Sequence, residues 1–127
     1  MRLLLDTHVL LWWLGRSARL GQSARAAIAD PSAEVLISAV SAWEIEIKRE
    51  LGKLKAPMDL PDQLVAHGFN ELPVSVAHGC AIGGLPPHHR DPFDRMLVAQ
   101  AALEQAILVT ADHKMAAYDV PILEADR

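Results

Sequence analysis

Three consecutive leucines, Leu3-Leu4-Leu5, run directly into Asp6 near the start of the chain. An apolar run without polar alternation suits a strand covered on both faces, the usual state of an inner strand in a parallel sheet. That reading puts Asp6 at the strand's carboxyl end, the sheet edge at which open α/β folds bind ligands. Asp is also a favoured N-cap, so capping the next helix would by itself account for the residue. Repetition favours chemistry: Ile107-Leu108-Val109-Thr110 is another apolar run, and Asp112 follows it much as Asp6 follows the leucines.

Between these two landmarks, helical and strand-like segments alternate. Residues 7–15 predict a helix that carries Trp12 and Trp13 and stops at a glycine, and residues 21–29 predict a second, closed by Asp30-Pro31. The adjacent tryptophans point about 100° apart, so one can face the sheet while the other covers a neighbouring helix or a second subunit. Val35-Leu36-Ile37 reads as a strand, and the helix after it runs to about Leu51, with Gly52 as its stop. Val40, Trp43, Ile47, Leu51 and Leu54 recur at helical spacing and predict one apolar stripe. Glu44 borders that stripe; Ser41-x-x-Glu44 has capping-box spacing, while Glu46, Lys48, Arg49 and Glu50 read as a solvated face. Pro57, Pro61 and Asp62 predict a turn and then a helix to about His67, and residues 71–74 hold a short edge strand. A helix over 75–82 leads to a loop over 83–90, a lip for a cleft. In Asp91-Pro92-Phe93-Asp94, Asp91 is a suitable N-cap, Pro92 suits the first helical position, and Asp94 falls in the first turn. Asp94 nonetheless shares a face with Leu97, Val98 and Ala101, where a carboxylate requires a cation or a set of donors. A last short strand occupies 120–123, and the final four residues are expected to fray.

At 127 residues, 51% of them apolar and 22% charged, the chain fits one globular domain spanning residues 1–127. No apolar run reaches the roughly 20 residues of a membrane span, and no secretory leader is recognisable, so a cytoplasmic protein without membrane contact is expected. The single cysteine, Cys80, allows no internal disulfide and is expected to be buried. A net charge of −4 gives no help to nucleic-acid binding, which would then fall to a local basic rim.

Short apolar strands alternating with helices predict a three-layer α/β/α sandwich around a short, mostly parallel sheet. Right-handed crossovers bring all carboxyl ends to one edge. Asp6 and Asp112 then stand at strand ends, and Glu44 and Asp94 face the same edge from helix starts. Two unit charges at 4 Å repel by about 4 kcal/mol at an effective dielectric of 20, a conflict that a divalent cation resolves. Oxygen ligands select a hard ion, Mg²⁺ or Mn²⁺, and the histidines form no zinc-like set; His8 and His113 are the two that lie close to an acid. Acids around Mg²⁺ are a recurrent device for phosphoryl chemistry by activated water. Arg16, Arg90 and Arg95 are candidate phosphate contacts.

Taken together, Leu3-Leu4-Leu5-Asp6-Thr7-His8, Ser41-Ala42-Trp43-Glu44-Ile45-Glu46-Ile47-Lys48, Gly52-Lys53-Leu54, Asp91-Pro92-Phe93-Asp94-Arg95 and Val109-Thr110-Ala111-Asp112 resemble a PIN-domain ribonuclease, within that family a VapC-type toxin. The resemblance implies that Asp6, Glu44, Asp94 and Asp112 are the metal-binding and catalytic acids, with Thr110 in support and Asp91 as helix cap and outer-shell partner. It further implies Mg²⁺- or Mn²⁺-dependent endonucleolytic cleavage of RNA, a homodimer and inhibition by a cognate antitoxin. Glu46 departs from the pattern, since related chains often carry a small or apolar residue there; of the two glutamates, Glu44 fits the motif better as the one that faces the metal. Two rivals are weaker matches. A receiver-like signalling module expects an acidic pair after its first strand, where this chain has Thr7-His8, and a haloacid-dehalogenase-like phosphatase expects an aspartate where His8 stands. A catalytically silent PIN-fold binding module would have no use for all four acids.

Overall fold

The computed structural model describes residues 1–56 and 59–127, so the turn expected at Pro57 lies outside the described residues. Five strands, β1 (Arg2–Leu5), β2 (Glu34–Ser38), β3 (Asn70–Leu72), β4 (Ile107–Thr110) and β5 (Ile122–Glu124), form one sheet in the order β3-β2-β1-β4-β5. All four pairings are parallel, so the sheet is wholly rather than mostly parallel. β1 is central: Leu5 lies opposite Ile37 of β2 on one side and Val109 of β4 on the other. The leucine triplet divides by strand alternation, and both of its faces are covered. Leu3 and Leu5 enter a core with Val9, Leu10, Ala24, Ile28 and Leu64, whereas Leu4 joins Leu97, Val98, Ala101 and Met115 on the opposite face.

The first face is covered by α1 (Thr7–Leu14), α2 (Gln22–Ala29) and α4 (Leu60–Ala66), and the second by α6 (Pro92–Glu104). α3 (Ala39–Glu50) contributes Ile45 to one core and Val40 to the other, and α5 (Val76–Ala81) packs against α6. Each helix following a strand starts at the sheet's carboxyl edge and runs back, which collects helix N-termini and strand ends on one side.

α3 departs from the expected stripe. Its inward residues are Val40, Ser41, Glu44 and Ile45, while Trp43 and Leu51 are each 62% exposed. The rotation follows from the cap: Ser38, at the end of β2, accepts a hydrogen bond from the Val40 amide and starts the helix three residues before the expected capping box. Trp12 and Trp13 are both partly buried; the Trp13 indole N–H donates to His67 Nδ1 at 3.1 Å, and the Arg19 guanidinium lies 5.7 Å from the centre of the Trp12 ring.

Two further expectations are corrected. The chain's last residues do not fray: Ala125 is fully buried, its carbonyl accepts from the Gly21 amide at 2.8 Å, and the Arg127 carbonyl accepts from Ser23 N–H at 2.9 Å. A β-carbon on Gly21 would stand 2.1 Å from the Arg127 carbonyl carbon, so glycine is what admits this close approach. Cys80 is exposed, because the short α5 turns His78 inward instead.

Candidate metal centre

Both carboxylate oxygens of Asp6 are engaged. One carboxylate oxygen caps α1, accepting from the Val9 amide at 2.8 Å, and the other accepts from the Thr110 hydroxyl at the end of β4. Thr110 in turn accepts from the Asp112 amide at 3.1 Å, so one hydroxyl ties both strand-end acids together. Asp6 is 5% exposed. Burial raises its pKa above the ordinary carboxylate value, against the opposing hydrogen bonds from Thr110 and Val9.

Glu44 faces the same edge from α3. It is 3% exposed, and its Oε1 accepts from the Thr7 hydroxyl at 2.6 Å, with Ser41 Oγ 3.0 Å from that hydroxyl. Its Oε2 accepts from Lys48 Nζ, one helical turn along. Lys48 therefore belongs to the site rather than to a solvated face; the hydrogen bond to Glu44 raises its pKa, and the charges of Asp91 and Asp94 add to the effect. Glu46 points away, paired with Arg49 on the exposed side, which resolves which glutamate looks inward.

Asp94 enters from the first turn of α6, whose N-cap is Asp91: Asp91 Oδ1 accepts from the Phe93 amide at 2.8 Å and the Asp94 amide at 3.3 Å. Asp94 is pushed up to about 7, first by burial and then by the neighbouring charge of Asp91, with Asp6 and Glu44 adding and His89 opposing. Asp112 behaves differently. Burial raises its pKa, but the hydrogen bonds from the His89 side chain and the Lys114 backbone outweigh that and hold it below the ordinary value.

His89 is the residue that sequence reasoning missed. Its Nε2 lies 2.8 Å from Asp112 Oδ2 and 3.2 Å from Asp94 Oδ2, so it joins the start of α6 to the end of β4. The watched histidines, His8 and His113, are exposed, although the charge of His8 acts on Asp6. The arginines also distribute unevenly. Arg95 donates to the carbonyls of Ile82, Pro86 and His89 at 3.1 to 3.4 Å and so staples the lip loop, Arg90 is exposed beside Asp91, and Arg16 lies beyond the far end of α1, at the opposite sheet edge.

The donor set suits a hard cation. Four carboxylates come to one sheet edge from four elements, and the facing nitrogen and oxygen atoms of His89, Asp94 and Asp112 lie within 4.8 Å of one another.

The chain and its fold have known relatives. The chain is 28% identical over 121 residues to Ribonuclease VapC22 of Mycobacterium tuberculosis, covering 93% of this chain and 92% of that one. Its fold is similar to VapBC2 from Rickettsia felis, solved bound to a promoter DNA fragment, with a TM-score of 0.71, 15% identity and 98% of each chain covered. A toxin-antitoxin complex from Klebsiella pneumoniae gives a TM-score of 0.65 at 18% identity over 96% of each chain. The PIN domain family model matches residues 3–121, a span that includes all four acids, and the chain belongs to the PIN domain family.

Proposed function

We propose that this protein is a divalent-metal-dependent endoribonuclease, the toxin of a toxin–antitoxin pair. The observation that carries the reading is the gathering of Asp6, Glu44, Asp94 and Asp112 at one sheet edge, where Thr110 joins Asp6 to Asp112 and His89 joins Asp112 to Asp94. Asp6, Glu44, Asp94 and Asp112 would hold the cation, Mg²⁺ or Mn²⁺. Once bound, the ion supplies neutralising charge and a water activated for in-line attack on a phosphodiester. The chain's own residues supply alignment. Thr110 fixes the second oxygen of Asp6, Thr7 and Lys48 fix both oxygens of Glu44, and the cap at Asp91 sets the first turn of α6. Exposed Arg90 is placed to meet substrate phosphate at the lip, where Arg95 shapes the loop.

The partner side of the proposal draws on relatives: the Klebsiella structure is a toxin-antitoxin complex, and the curated relative is a ribonuclease. A cognate antitoxin that covers the acidic edge, and pairing of two toxin copies, follow for this chain by analogy. Among the described residues no helix is long and apolar enough to cross a membrane.

Incubation of the purified protein with structured and unstructured RNA, with Mg²⁺, Mn²⁺ or EDTA, tests the activity. Internal cleavage that requires the ion and disappears in Asp6→Asn and Asp94→Asn is the expected result. Cleavage that persists in both variants, or in EDTA, overturns the reading.

A further inference from the structure

The His89 imidazole is anchored from behind as firmly as in front. Its Nδ1 accepts from the Asp91 amide at 3.1 Å, its own backbone N–H donates to the hydroxyl of buried Tyr118 at 2.9 Å, and its carbonyl is gripped by Arg95. A ring nitrogen that accepts from an amide carries no proton, so the proton resides on Nε2, the atom between Asp112 Oδ2 and Asp94 Oδ2. For Nε2 to become a metal ligand, the proton would have to move to Nδ1, where it would oppose the Asp91 N–H, donor against donor. The ring is therefore built to donate to Asp112, with Asp94 close beside the same nitrogen.

We propose that His89 is a positioning residue for the cation site: its Nε2–H donates to Asp112 Oδ2 and stands 3.2 Å from Asp94 Oδ2, holding the two carboxylates in register so that their remaining lone pairs point at a shared divalent ion. The inference rests on the reading of the acid cluster as a metal site. It goes beyond that reading by assigning an outer-shell donor from the lip loop, on a residue that is neither an acid nor a ligand. Ligating carboxylates held by such donors keep their geometry when the ion is absent, and losing the donor typically costs about 10- to 100-fold in metal affinity. A competing role is physically possible for the same contacts: an imidazole N–H that stands where the ion belongs would have to be expelled. The two roles move affinity in opposite directions.

The test is calorimetric titration of Mn²⁺ into the metal-free protein, its His89→Ala variant and its His89→Gln variant, with folding checked by thermal melts. Gln places an amide N–H near the position of the imidazole Nε2–H. Positioning predicts that His89→Ala binds about 10- to 100-fold more weakly and that His89→Gln recovers most of the loss. Unchanged or tighter binding by His89→Ala overturns the proposal while leaving the metal-site reading intact, and equal weakening in both variants assigns the ring as a ligand and overturns it as well. A wild-type protein that binds no ion removes both readings together. Should His89→Ala fail to fold, the His89→Gln titration and nitrogen NMR of the wild-type ring with Mg²⁺ decide. A proton on Nε2 supports the proposal, and a proton on Nδ1 overturns it.

Discussion

The Thr110 hydroxyl donates to Asp6 across the seam between β4 and β1, joining residues 104 positions apart. This hydrogen bond and the one Thr110 accepts from the Asp112 amide make a threonine the hinge pin of two acids. Thr110→Val is expected to cost about 1–3 kcal/mol in urea unfolding, because buried Asp6 loses a donor and the Asp112 amide loses an acceptor. Thr110→Ser keeps the hydroxyl and should recover most of that loss. RNA cleavage rates measured on both variants should fall in the same order.

Asp94 sets the pH dependence of the metal-free protein. Its pKa is about 7 in the folded chain against an ordinary 3.8, so between these values the folded state holds a proton that the unfolded state has released. Stability should therefore fall as pH rises from about 4 to about 7, by up to about 4 kcal/mol. Buried Asp6, also raised, contributes with the same sign. Melts in EDTA should show the decline in the wild type and a flatter profile in Asp94→Asn. Mg²⁺ should restore stability at pH 7 and above, since it favours the ionised carboxylate.

Lys48, one helical turn from Glu44, supplies its counter-charge, and burial makes the pair matter. Glu44 is 4% exposed at its side chain and Lys48 33%. Lys48→Met should cost about 2–3 kcal/mol by leaving a buried carboxylate without its counter-charge, toward the low end because the lysine is partly solvated. Combining it with Glu44→Gln should recover most of the loss. A double-mutant cycle from urea unfolding measures the coupling.

Gly21→Ala probes the docked terminal residues. The added β-carbon meets the Arg127 backbone at 2.1 Å, so the segment must lift or α2 must shift. A loss of about 1–3 kcal/mol is expected. Hydrogen exchange at the amides of Gly21 and Ser23, which bond to the carbonyls of Ala125 and Arg127, should quicken. Unchanged protection there would show that the contact contributes nothing.

Much of the site was legible because local rules and chemistry coincide at Asp6, Asp91 and Asp94. Each is a capping or first-turn acid at a place where the topology also delivers ligands. Glu44 was legible as a residue but not as a geometry. The serine at 41 offered a capping box, yet Ser38 caps the helix from the end of β2 and leaves Ser41 and Glu44 to face Thr7. The same shift exposes Trp43, which rests edge-on against Phe93 instead of entering the core. Periodicity reports spacing, not phase, and the phase of α3 was set by its first residue. Lys48 was within reach of the one-turn spacing from Glu44. His89 was not, since its partners Asp94 and Asp112 come together only when α6 and β4 are packed, and nothing in the run Pro86-Pro87-His88-His89 says which imidazole turns inward. The docking of the last residues was hidden for a similar reason: its signal is a single glycine more than a hundred positions earlier.

With β1 wedged between β2 and β4, the sheet order has a temporal meaning. During translation the ribosome delivers Asp6 first and Glu44 soon after, but the slot on the other flank of β1 stays open until the fourth strand arrives. Long-range pairing of this kind is slow and comes as one event. In a nascent chain the four acids are accordingly still apart, and they come together only once β4 has paired with β1.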